Sequence, residues 1–162
     1  MNVRLLFGLS VISSFCAWGI VAALYLWPEL RTMPIETALM ALMAPHMFRF
    51  IGLSFLVPGV VSESLPPGFA RPAAYGDMVA AVLAMGATVA LASNLSWAVA
   101  AVWLFNIWGA ADLLNAMFQG VTRLRPENGI GLGAAFYIPT FVVPALLISH
   151  GLIFWLLLRS AA

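Results

Sequence analysis

Residues 34–57 read PIETALMALMAPHMFRFIGLSFLV, and the fold follows from where such a stretch can be solvated. About 20 mainly apolar residues are enough for a helix to cross a hydrocarbon core of about 30 Å. Between Ile35 and Val57 the only ionisable side chains are Glu36, His46 and Arg49. The stretch has no wet face to offer, so it reads as a membrane span with two ionisable groups inside it. Four other stretches share its character, at 5–27, 73–92, 97–118 and 133–158. Short connectors at 28–33 and 93–96 make neighbouring spans antiparallel. The longer ones, 59–72 and 119–132, carry turn chemistry in Pro66-Pro67-Gly68 and Pro126-Glu127-Asn128-Gly129. The expected fold is an all-α integral membrane protein, a compact bundle of five transmembrane helices. It forms a single domain over residues 1–162, with no internal repeat.

Composition agrees. A soluble domain carries about 25% charged residues, whereas this chain has 8% charged and 64% hydrophobic residues. Soluble enzymes, nucleic-acid binders and disordered chains are excluded on that basis. All seven basic residues are arginine, which removes Schiff-base chemistry and a phosphate-loop lysine. Cys16 is the only cysteine, so no intramolecular disulfide or CxxC pair exists; beside Ser13 and Ser14 it reads as a small buried filler. His46 and His150 are too few for a three-histidine zinc site. Arg4 followed by an apolar run resembles a signal peptide, but the run is too long and has no small-x-small exit, so it is expected to stay. The Gly129–Gly133 run imitates a nucleotide loop without the preceding strand that such a loop needs.

Orientation follows from the arginines. With the N-terminus inside, Arg4, Arg71, Arg123 and Arg125 are cytoplasmic, against Arg31 and Arg159 outside. The same choice brings Trp27, Trp97 and Trp155 to the outer boundary, as an aromatic belt requires. A bacterial inner membrane is the expected location, with the C-terminus outside. The bilayer is the expected partner, with a homo-oligomer or a larger membrane complex as further candidates, and no nucleic acid.

An ionisable group within a span costs about 2.5–3.5 kcal/mol or more, so each needs a partner. At 1.5 Å per residue, Arg49 and Asp112 lie about 21 and 22 Å below the outer ends of their helices. The two helices run in the same direction, and an Arg49–Asp112 ion pair is expected. His46 and His150 come out near 16 and 12 Å by the same rise. Pro45, Pro139 and Pro144 remove backbone donors beside them, which is tolerated at membrane depth where a cavity or polar partners take over. Trp108, Asp112, Asn115 and Gln119 form one helical ladder, with Asn106 on a second side of the same helix. Ala80, Ala81, Ala84, Gly86, Ala87 and Ala90 read as a small-residue packing surface. Glu36 and Asp77 read as acids favoured at helix starts, and Glu63, Arg123, Arg125 and Glu127 as solvated connector residues.

The expected function is binding or translocation of a small molecule or ion at an intramembrane site built from His46, Arg49, Trp108, Asp112, Asn115 and His150. A first alternative is haem b as cofactor, with His46 and His150 as axial ligands, for electron transfer or haem handling. A second is an enzyme acting on a lipid or isoprenoid, with His46 or Asp112 moving protons. A third is an accessory subunit docking by its small-residue helix.

Overall fold

A computed structural model describes residues 3–123 and 131–160. They form five helices long and apolar enough to cross a membrane: α1 (Val3–Leu30), α2 (Ile35–Leu56), α3 (Pro67–Ala92), α4 (Ala98–Thr122) and α5 (Gly133–Arg159). No strand occurs among the described residues. Arg125, Glu127 and the turn from Pro126 to Gly129 lie outside them.

Three of the helices depart from regular α geometry where proline removes a donor and crowds the carbonyl four residues back. α1 widens into a π-helical turn at Ala22–Leu26, just before Pro28. α5 starts as a 3-10 turn (Gly133–Phe136), becomes π-helical at Ile138–Val142 and turns α-helical from Val143. α2 is α-helical over Ile35–Met43, then a 3-10 helix over Ala44–Leu56 that opens at Pro45. Thirteen residues of 3-10 helix is long, since runs beyond three or four residues are uncommon. Carbonyls in or beside these irregular stretches find side-chain donors. Ser149 donates to Leu42 at 2.8 Å, and Trp18 Nε1 donates to Phe141 at 3.1 Å. The acceptor used near Pro45 is thus Leu42, one residue beyond the Ala41 carbonyl that the missing proline N–H would have served.

α3 begins at Pro67, six residues earlier than 73. Proline at the first helical position needs no donor and has a helix-ready φ, so Pro66-Pro67-Gly68 starts the helix instead of turning the chain. This early start moves Asp77 from a helix end to ten residues inside α3, where it is 6% exposed.

α3 packs most extensively against the 3-10 half of α2 and against α4. Ala80, Ala81, Ala84, Ala87 and Ala90 are all buried there, whereas Gly86 points outward into open space. α1 rests mainly on α5 and is the most peripheral helix, with 11% of its apolar window buried against 50% for α3. Cys16 is exposed on the outer side of α1 and is no core filler; Ser14 is the residue turned inward. Trp27 and Trp155 meet edge to face at 4.4 Å, so the C-terminal ends of α1 and α5 lie at one level.

Two apolar cores result. One gathers Met43, Ala84, Phe105 and Ile153; the other gathers Phe55, Ala74, Leu113 and Leu146. On each of α2 to α5 the stretch between the two cores carries buried polar side chains: His46 and Arg49 on α2, Asp77 on α3, Asn106 on α4, and Ser149 and His150 on α5. Ala84→Leu is expected to overpack the α3 interface and destabilise the protein by about 1–3 kcal/mol. Gly86→Leu, facing outward, leaves stability unchanged or higher; chemical unfolding in detergent micelles distinguishes the two.

Candidate functional site

The layer between the two cores is organised by α2. A 3-10 helix has three residues per turn, so side chains three apart eclipse one another. His46, Arg49, Gly52 and Phe55 obey that spacing and are the buried residues of the 3-10 stretch. They form one straight inward rail.

Arg49 is 1% exposed and carries five N–H donors in a planar fork. Nε donates to Asp77 Oδ1 on α3 at 2.7 Å, and NH2 donates to Asp112 Oδ2 on α4 at 2.7 Å. NH1 donates to the Gly109 carbonyl at 3.1 Å and lies 3.5 Å from His150 Nε2 on α5. A single guanidinium therefore ties α2 to three other helices. The expected Arg49–Asp112 pair is present. Asp77, assigned above to a helix end, is a second and deeper partner, and it was hidden by placing the start of α3 too late.

Three glycines on three helices make the approach possible. A Cβ on Gly52 would strike the Asp77 carboxylate, and one on Gly76 would strike that of Asp112. On Gly109 it would lie 2.7 Å from His150 Cε1 and 2.9 Å from Arg49 NH1. Each glycine thus vacates the volume that one polar group fills.

His150 is held by Asn106 at two points. Asn106 Nδ2 donates to the His150 carbonyl at 3.3 Å, and Asn106 Oδ1 lies 2.6 Å from His150 Nδ1. With the amide nitrogen used on the carbonyl, Oδ1 accepts, so Nδ1 carries the proton and Nε2 presents its lone pair towards Arg49. His46 is different. It is fully buried, meets Phe105 edge to face at 5.0 Å and the tilted His150 ring at 4.3 Å, and neither ring nitrogen has a hydrogen-bond partner among the described residues. No group of three or more His, Cys, Asp or Glu side chains that would hold a metal occurs among the described residues.

Four of the six residues singled out from sequence therefore converge: His46, Arg49, Asp112 and His150. Trp108, 46% exposed, and Asn115, also exposed, sit on the outer face of α4 and stay outside the cluster, which Asp112 of the same helical ladder enters. Asp77, Asn106 and Gly109 complete the set.

Beside the cluster, beneath the N-terminal half of α1, is a cavity of about 320 Å³. Phe7, Phe55, Phe69, Leu113, Met117 and Ile138 give it an apolar wall, and Asp77 and Arg4 are its charged lining residues. Because α1 and α3 run opposite to α4, Arg4, Phe69 and Val121 mark one end. Val11, Asp77 and Leu113 mark the other, about 10–12 Å away by helix rise.

Replacing Arg49 with Met strands two buried carboxylates and is expected to cost about 3–5 kcal/mol. Arg49→Lys recovers little of it, because a point-like ammonium cannot reach acceptors on α3, α4 and α5 together. His46→Leu removes a buried polar ring that makes no hydrogen bond, so stability is expected to hold or rise. His150→Leu leaves the buried Asn106 Oδ1 without the donor it has in His150 Nδ1 and lowers it. Unfolding of the four variants in one detergent checks this order.

No curated protein and no solved structure matches the chain. One family matches residues 6–158, nearly the whole chain, and this protein is therefore a member of the family described as domain of unknown function DUF8737.

Proposed function

We propose that this chain is an integral membrane protein that binds a small, mainly apolar molecule in the cavity beneath α1, with the Arg49 cluster forming the polar end of the site. Five helices long and apolar enough to span a bilayer support the membrane part. The arginine distribution favours the N-terminus inside and the C-terminus outside.

The observation that carries the binding part is the cavity itself. Its volume of about 320 Å³ falls in the range of small-molecule sites, which combine apolar walls with a few placed polar groups. Asp77 is such a group, and it is also a partner of Arg49. Occupancy at one end of the cavity is thereby linked to the ion pairs that join α2, α3 and α4. The part of α1 over the cavity, from Arg4 to Val11, belongs to the least buried helix, so exchange with the bilayer requires displacing the smallest packed surface.

The haem alternative finds no support in this arrangement. Axial ligation sets a metal–nitrogen bond on either side of a macrocycle, and the His46 and His150 rings already touch at 4.3 Å. His150 Nε2 also faces a guanidinium.

The test uses 4-phenylbutan-1-ol, a neutral probe with an apolar body. Gly8 lines the cavity, and a Cβ there meets nothing within 4 Å. Gly8→Trp is expected to fill the space, weaken probe binding by about tenfold or more, and leave the fold intact. Calorimetric titration of protein in lipid nanodiscs reads the affinity. Equal binding to the wild type and Gly8→Trp overturns the assignment of the cavity as the site.

A further inference from the structure

The charge inventory of the cluster does not close. Arg49 supplies one positive charge, and Asp77 and Asp112 supply two negative ones, on side chains 1%, 8% and 11% exposed. His150 carries its proton on Nδ1 towards Asn106 and turns its Nε2 lone pair to Arg49, so it brings no second cation. His46 has no acceptor for a ring N–H among the described residues and brings none either. One carboxylate charge is left over in a water-poor layer, where an uncompensated charge is expensive.

The surplus has a location. Asp77 Oδ1 takes the Arg49 Nε–H, while Oδ2 accepts no hydrogen bond among the described residues, and Asp77 lines the cavity. Asp112 Oδ1 likewise accepts no hydrogen bond among the described residues, but Asp112 is not one of the residues that line the cavity. An apolar cavity that ends on a half-satisfied buried carboxylate is complementary to a molecule with an apolar body and a cationic, hydrogen-bond-donating head. Resting on the binding reading above, we propose that the site takes a lipophilic ammonium, with the –NH3+ group donating to Asp77 Oδ2. The aliphatic or aryl body then lies along Phe7, Phe55 and Phe69. A carboxylate or phosphate head would meet Asp77 as a like charge at the deep end. Arg4 lies at the opposite end, about 10 Å along α1 from Val11, beside the tail of a ligand whose amine is on Asp77.

The proposal is tested with three near-isosteric probes: 4-phenylbutylamine, 4-phenylbutan-1-ol and 5-phenylpentanoate. Each is titrated at neutral pH into the full chain in uncharged lipid nanodiscs. The amine is expected to bind about tenfold or more tighter than the alcohol, as a charge-assisted hydrogen bond warrants, and the carboxylate weakest. In Asp77→Asn the amine and alcohol converge while alcohol affinity is kept. Should that variant not fold, Gly8→Trp supplies the second measurement, since the amine preference of the wild type must vanish together with alcohol binding. Equal affinity for amine and alcohol, or preference for the carboxylate, overturns the ammonium assignment and leaves the cavity reading standing. Failure of all three probes to bind overturns both.

Discussion

Arg49 needs more acceptors than one helix can provide, and the arrangement of α2 to α5 follows from that need. A guanidinium withdrawn from water must direct its N–H groups to fixed oxygens. Here those oxygens come from Asp77 on α3, Asp112 on α4 and the backbone of Gly109, with His150 of α5 beside them. Dispersion between apolar side chains tolerates sliding by a fraction of a turn. A planar fork with donors in set directions does not. The ion pairs are best seen as a registry device, one of the better-attested uses of buried charge. The two apolar cores on either side supply packing, and the polar layer decides which packing.

Backbone irregularity serves the same layer. The 3-10 segment keeps His46, Arg49 and Gly52 on one line, whereas a regular α-helix would fan them out by about 60° per three-residue step. The glycines at 52, 76 and 109 let helices approach until carboxylates and ring fit where a methyl group would have been. Small residues at helix interfaces are usually explained by backbone proximity alone. In this protein they also make room for the charges.

Much of this was legible in the sequence. Hydropathy alone located the five helices, and equal depth on parallel helices was enough to pair Arg49 with Asp112, because helix rise is nearly constant. Asp77 was missed for a local reason: three consecutive turn-forming residues, Pro66-Pro67-Gly68, are also a good helix start, and the sequence does not say which role applies. Trp108 and Asn115 were misplaced because a ladder drawn on one helix shows which residues share a side and not what that side faces. Only the neighbours decide that. The 3-10 geometry of α2 was hinted at by Pro45 and by the three-residue step from His46 to Arg49, but its persistence to Leu56 depends on tertiary contacts.

The 3-10 rail also constrains how this stretch of chain can change length. With three residues per turn, inserting or deleting one residue between Ala44 and Arg49 rotates everything beyond it by about 120°. That swings the guanidinium out of the layer and a Met or Phe into it. A change of three residues restores the azimuth and shifts the rail by about 6 Å along its axis, past the fixed carboxylates. Neither is accommodated by local repair, since the acceptors belong to other helices. The spacing between Pro45 and Phe55 therefore behaves as a fixed ruler, in which substitution is negotiable position by position but length is not.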